Sequence, residues 1–243
     1  MARIISPKAT IHPTAILPDD CEIGDYVYIG ERVKILTPSF RARDYTKIHQ
    51  DTFVNGGNPF NVGYNCWFGG HCIFDTIGGL TLGNNIGVGA YSQVWTHMRF
   101  GDTLAGCQWD KTKECIISDD CWFVGHCMVS PVYAMAKSMA MLGSVITKDM
   151  EPNHTYAGTP AVDVTDKVGP QFDLRKSGIA KQLDFEQLLQ DFIIKNNFND
   201  VDYTILYKSF DALTRQYDKC GTRLQESFLQ FCFPRAKFIP YGA

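Results

Sequence analysis

The chain repeats with a period of six. From Ile117 a large apolar residue returns at Phe123, Val129, Met135 and Met141, and from Ile5 one returns at Ile11, Leu17, Ile23, Ile29 and Ile35. A helix repeats at 3.6 residues and a half-buried strand at two, so neither accounts for six. A repeat of hexads is the pattern of a parallel β-helix, in which each hexad forms one flat face of a triangular coil. Further leaders are read at Ile48, Val54, Val62, Phe68, Phe74, Leu82, Val88 and Val94. The register breaks between them at Leu36–Lys47, read as a basic insertion carrying Arg41, Arg43 and Lys47. It breaks again at the turn-rich Asn55–Pro59, briefly before Leu82, and longest from Arg99 to about Cys115. Insertions in a coil of this kind are expected at its corners, where they leave the stacked interior intact.

The repeat also explains the cysteines. Cys21, Cys66, Cys72, Cys121 and Cys127 each lie four places after a leader, a phase filled elsewhere by Ala9, Ala15, Val27, Thr52 and Ser92. A second inward position wants a small, mildly apolar side chain, which free cysteine supplies. The sequence contains no C-x-x-C pair, so the thiols read as core filler in a reducing compartment, not as zinc ligands or a disulfide frame. Cys107, Cys115, Cys220 and Cys232 fall off this phase. The net charge of -3 gives no general attraction to nucleic acid. No apolar run reaches the length of a membrane span, and the opening Met1–Pro7 lacks a signal-peptide core. A cytoplasmic protein without a membrane span is the expectation.

The hexads stop after Ala161. The expected organisation is a β-helix over 1–164 and a mainly α-helical region over 165–243. Asp184 with Gln187 reads as a capping box opening a helix with Phe185, Leu188, Leu189, Phe192 and Ile193 on one face, ended by Asn196–Asn199. A second helical pattern follows over Tyr203–Tyr217, and Thr222–Phe233 fits either a helix or a strand.

Three stretches resemble the end of the left-handed β-helix domain of the hexapeptide-repeat acyltransferases, of the sugar O- or N-acetyltransferase type. They are Cys121-Trp122-Phe123-Val124-Gly125, Gly143-Ser144-Val145-Ile146-Thr147-Lys148-Asp149, and Pro152-Asn153 through Gly158-Thr159-Pro160-Ala161. Family members often read G-A-G-S where this chain has Leu142-Gly143-Ser144, one residue shorter. The resemblance implies a left-handed coil and direct transfer of an acetyl group from acetyl-CoA. The acceptor would be a hydroxyl or amine of a sugar or nucleotide-linked sugar, as in surface polysaccharide biosynthesis. It implies a homotrimer with the coenzyme held between adjacent prisms and no metal. It also implies contacts to the pantetheine arm from Gly125, Leu142, Gly143 and Ser144, with Thr147 and Lys148 at the nucleotide end.

The candidate base is His97, three places after the leader Val94 and immediately before the longest insertion. In the family a histidine ends a coil one turn before the coenzyme block. An imidazole titrating near neutrality suits proton removal from the attacking group. The alternative is a surface histidine at a loop junction. Asp102, five residues on, is the expected orienting carboxylate, with Asp110 and Glu114 as rivals. Two other functions compete. A γ-class carbonic anhydrase-like zinc site would need two histidines five residues apart, and Asp102 stands where the second would be. A non-catalytic β-helix used for assembly would use the long tail as its binding module.

Overall fold

The structure, a computed structural model, describes residues 3–196 and 202–242. They form two compact units dividing after Phe172. The first is a parallel β-helix. Its three faces are parallel sheets built from short strands one coil apart. On the first face Ile5 pairs with Ile23, Ile23 with Ala42 and Ala42 with Val62. On the second Ile11 pairs with Ile29 and Ile29 with Ile48, and on the third Ile35 pairs with Val54 and Val54 with Phe74. Apart from Ile5, which the first coil leaves 37% exposed, the residues of these series are buried in, or packed against, one hydrophobic core. Phe40 stacks on Phe60 with ring centres 5.8 Å apart, and Phe68 meets Phe74 at 4.8 Å.

The spacing of the inward residues is uneven in one place only. From first face to second, and from second to third, it is six residues in every coil, as in Ile23–Ile29–Ile35 and Leu82–Val88–Val94. From third face back to first it is six (Leu17–Ile23), seven (Ile35–Ala42), eight (Val54–Val62, Phe74–Leu82), twenty-three (Val94–Ile117), five (Val129–Ala134) or four (Ile146–Met150). All variation in coil length therefore falls on the third edge.

Three expectations change for this reason. Leu36–Lys47 is not an insertion: Phe40–Ala42 and Lys47–Ile48 are strands of the coil, with Phe40 fully buried. The register had slipped by a single extra residue on the third edge. Arg41 and Arg43 lie along the coil and pair with Asp20 and Glu22 of the preceding one. Met135 and Met141 are not leaders. They are 40% and 37% exposed, and Ala134 and Ala140 hold the inward places because Val129 to Ala134 is one residue short of a hexad. Cys115, read as off phase, is fully buried and pairs with Leu80 on the first face. Burial pushes the thiols of Cys72, Cys115 and Cys121 up to about 11.

After Ile146 the chain crosses the end of the coil. Thr155–Gly158 extends the second face and folds back antiparallel as Ala161–Asp163. Helix α1 (Thr165–Val168) and the following turn strap onto this end. Thr155 Oγ1 donates to the Gly169 carbonyl at 2.9 Å, and Asn153 exchanges two hydrogen bonds with the Phe172 backbone at 2.9 and 3.0 Å. Residues 165–172 thus belong to the β-helix, and the division lies at 172, not 164.

The second unit has its own aromatic core. Helix α2 (Gly178–Asn196) starts before Asp184, with Ser177 Oγ accepting from Ala180 N–H at 3.1 Å. Asp184 lies inside the helix and pairs with Lys176. The stop read at Asn197–Asn199 lies outside the described residues. The second helical pattern is realised only as α3 (Thr204–Ser209), after which Phe210–Asp211 and Gln216–Tyr217 pair antiparallel. Phe210 and Tyr217 are buried and stacked at 5.4 Å, a cross-strand pair that overrides the helical period. Thr222–Phe233 resolves as helix α4 (Arg223–Cys232), capped by Thr222 Oγ1 accepting from Gln225 N–H. Phe228 of α4 touches Phe185, Phe192 and Phe210.

Candidate active site

The third edge, where coil length is free, carries the candidate base His97. Between Val94 and Ile117 the chain leaves the coil as an antiparallel hairpin, His97–Arg99 against Asp110–Thr112. Its tip exposes Phe100, Leu104 and Trp109. His97 is the first residue of the hairpin, pinned between the rigid coil and the protruding loop.

The group that meets His97 is Asp75, on the same edge one coil earlier. His97 Nδ1 lies 2.7 Å from Asp75 Oδ2. The Asp75 side chain is only 4% exposed. The same oxygen accepts from Thr96 N–H at 2.8 Å and from Thr96 Oγ1 at 2.5 Å, and Oδ1 accepts from Ile77 N–H at 3.2 Å. Burial alone would raise this carboxyl, but the bonds from His97, Thr96 and the Ile77 N–H outweigh it and hold it below its ordinary value. An ionised carboxylate only accepts, so Nδ1 carries a proton, and in the neutral ring the lone pair is on Nε2. The imidazole is 24% exposed.

Asp102, expected to orient His97, does not meet it. Its carboxylate accepts from Leu104 N–H at 2.8 Å and Ala105 N–H at 3.3 Å within its own turn. Asp110 pairs across the hairpin with Arg99, and Glu114 accepts from Thr81. The loop's sequence proximity to His97 was misleading. The informative signal was an acid directly after the leader Phe74, one coil upstream, which the coil length brings beside residues 95–97.

The six residues matched to the coenzyme block fall on two different edges. Thr147 and Lys148 lie on the third edge, two coils beyond His97, or roughly 10 Å along the axis at the spacing of neighbouring strands. They line a cleft of about 300 Å³ with Ile146, Asp149, Tyr156 and Ala161–Asp163. Hydrogen bonds from Thr165 and then His154 hold the Asp163 carboxyl at about 2. Gly125, Leu142, Gly143 and Ser144 lie on the second edge, a full face away. There Gly143 N–H donates to the Gly125 carbonyl at 2.9 Å. Leu142 is exposed, and space is open around the Gly143 Cα, whose φ is 73°. Ser144 is buried and its hydroxyl donates to the Met141 carbonyl. A single chain does not bring the two groups together.

The other histidines are placed by the coil. His71 and His126 sit on the second edge and sandwich Tyr91, with ring centres 4.8 and 5.0 Å apart. His49 lies between Tyr28 and Trp67 on the second face. Burial, then Lys47, pushes its pKa down. His12 bonds Thr14, and His154 bonds Asp163 at 2.6 Å. Among the described residues no group of three or more His, Cys, Asp or Glu side chains is arranged to hold a metal ion.

No family model and no curated protein matches the sequence. Several solved structures are similar in part. One is AntD, an N-acyltransferase from Bacillus cereus in complex with dTDP and 3-hydroxybutyryl-CoA, at 14% identity over 76% of this chain and 89% of that one, TM-score 0.41. Another is a maltose O-acetyltransferase from Clostridium difficile 630, at 20% identity over 58% and 66%, TM-score 0.40. A third is the polysialic acid O-acetyltransferase OatWY, at 18% identity over 75% and 94%, TM-score 0.41. All three scores lie below 0.5.

Proposed function

We propose that this chain is an acetyltransferase that moves an acetyl group from acetyl-CoA to a hydroxyl or amine of a sugar, with His97 as general base. The observation that carries the proposal is the buried Asp75 carboxylate on His97 Nδ1. It fixes one tautomer and leaves Nε2 as the acceptor, the arrangement a base needs. The acceptor O–H or N–H gives its proton to Nε2 as its heteroatom attacks the thioester carbonyl. The C–S bond then breaks, and the departing sulfur takes the proton back from the imidazolium. Asp75 stabilises that imidazolium and serves as the orienting residue in place of Asp102. Thr147 and Lys148, beside the cleft on the same edge, would hold the nucleotide end of the coenzyme, with Lys148 suited to phosphate charge.

The division of the coenzyme residues between two edges favours a homotrimer, in which the second edge of one prism faces the third edge of the next. Light scattering is expected to give three times the 27.3 kDa chain mass; a monomer that turns over acetyl-CoA would overturn this part of the reading. A cytoplasmic role in polysaccharide synthesis fits the same chemistry. The test of the reaction is release of free CoA from acetyl-CoA with a panel of sugars. His97→Ala is expected to lower turnover by about 10²–10⁴, or roughly 3–5 kcal/mol of barrier, while acetyl-CoA still raises the melting temperature. Near-normal turnover in that variant would sink the assignment.

A further inference from the structure

Immediately before His97 the chain runs Gln93-Val94-Trp95-Thr96-His97, and strand alternation sorts it cleanly. Val94 and Thr96 are fully buried, whereas Gln93, Trp95 and His97 emerge on the outer surface. Trp95 is 37% exposed, and its indole stands edge-on to the imidazole with ring centres 6.4 Å apart. Its Nε1–H donates to Gln93 Oε1 at 3.0 Å, which orients the indole. That bond occupies the carbonyl end of Gln93 and leaves its two amide N–H groups as donors beside the ring. The flanking positions are small or turned away. On the preceding coil stands Asp75, whose carboxylate points in to Thr96 and His97, and on the following coil stands Ser130.

We infer that Trp95 is the platform for the acceptor's sugar ring: a pyranose lays its C–H face on the indole, Gln93 donates to its hydroxyls, and the reacting group meets His97. This rests on the acyl-transfer reading and names the part of the site that selects a sugar. The physical basis is the mixed surface of a pyranose. One face presents C–H groups that lose water readily against a large aromatic ring, while its rim of hydroxyls needs hydrogen-bond partners. An indole already oriented by its neighbour loses less conformational freedom on binding. Small acyclic alcohols and amines offer no such face, so the platform gives them nothing.

Binding can be followed without any reaction. Saturation-transfer NMR would be recorded with methyl glycopyranosides of glucose, galactose and N-acetylglucosamine on the full chain. At least one is expected to receive saturation on its C–H face from the wild type. Trp95→Ala is expected to weaken that binding by about tenfold or more, the scale of losing one aromatic anchor. Trp95→Phe should retain most of it and His97→Asn nearly all. In turnover assays Trp95→Ala should raise KM for the sugar by more than it raises KM for acetyl-CoA. The inference is overturned if no pyranoside binds the wild type, or if Trp95→Ala binds as well as the wild type. Pyranoside binding through Trp95 with no release of CoA would instead overturn the transfer reaction and leave the platform standing.

Discussion

At the scale of single residues, Asp75 takes the place beside His97 Nδ1 that sequence proximity had assigned to Asp102. Asp75→Asn keeps an oxygen for Nδ1–H but removes the charge that stabilises imidazolium, and it sets an amide against Thr96. Turnover is expected to fall by about 10²-fold or more, within the range for losing an acid–base partner, while Asp102→Asn changes nothing. Equal rates in the two variants would refute the assignment. The same carboxylate leaves a mark on stability. Its folded pKa lies below the unfolded value, so it stabilises the fold above the ordinary Asp value of about 3.9 and loses that contribution as pH falls through the folded value. The gap in melting temperature between wild type and Asp75→Asn should therefore narrow as pH is lowered from 6 to 3. A gap that widened would contradict the hydrogen bonding described here.

At the scale of the coil, two edges have fixed length and the third is free. Inward residues were legible in the sequence wherever six-residue spacing held, as in Leu82–Val88–Val94. They were misread where the third edge lost one residue, because Met135 and Met141 are as apolar as the Ala134 and Ala140 that replace them. His97 stood out as the candidate because it ends a coil before a long excursion. Asp75 was not, because its partner is adjacent only after the chain has gone once around the prism. In the second unit the helical stripe of Phe210 and Tyr217 was genuine, but cross-strand stacking used those residues better. The rule of the free edge can be tested by inserting Gly-Ser after Gly57, which is exposed and has nothing within 4 Å of a built Cβ. The loop grows at little entropic cost, and the melting temperature should move by less than about 2 °C, the effect of under 1 kcal/mol in a chain of this size. The same insertion after Gly70, buried on the second edge, should cost far more, since Phe74 and the third face would lose register with the coils on either side. Equal tolerance at both sites would show that the constant spacing has no structural force.

At the scale of the whole molecule, the thiols form a reporter of which unit has opened. Cys21, Cys66, Cys72, Cys115, Cys121 and Cys127 are sealed in the β-helix, Cys232 alone in the aromatic core of the second unit, and Cys220 is exposed. Burial pushes Cys232 up to about 12. A buried thiol that is also protonated does not react until its surroundings unfold. Under an alkylating reagent Cys220 should therefore label at once, and Cys107, half-buried on the hairpin, soon after. Cys232 and the group of six should follow as two separate kinetic steps, one adding a single label and the other six together. Six labels arriving one by one would mean that the coil frays rung by rung rather than opening as a unit, and intact-mass spectra taken over time would distinguish the two without any added probe.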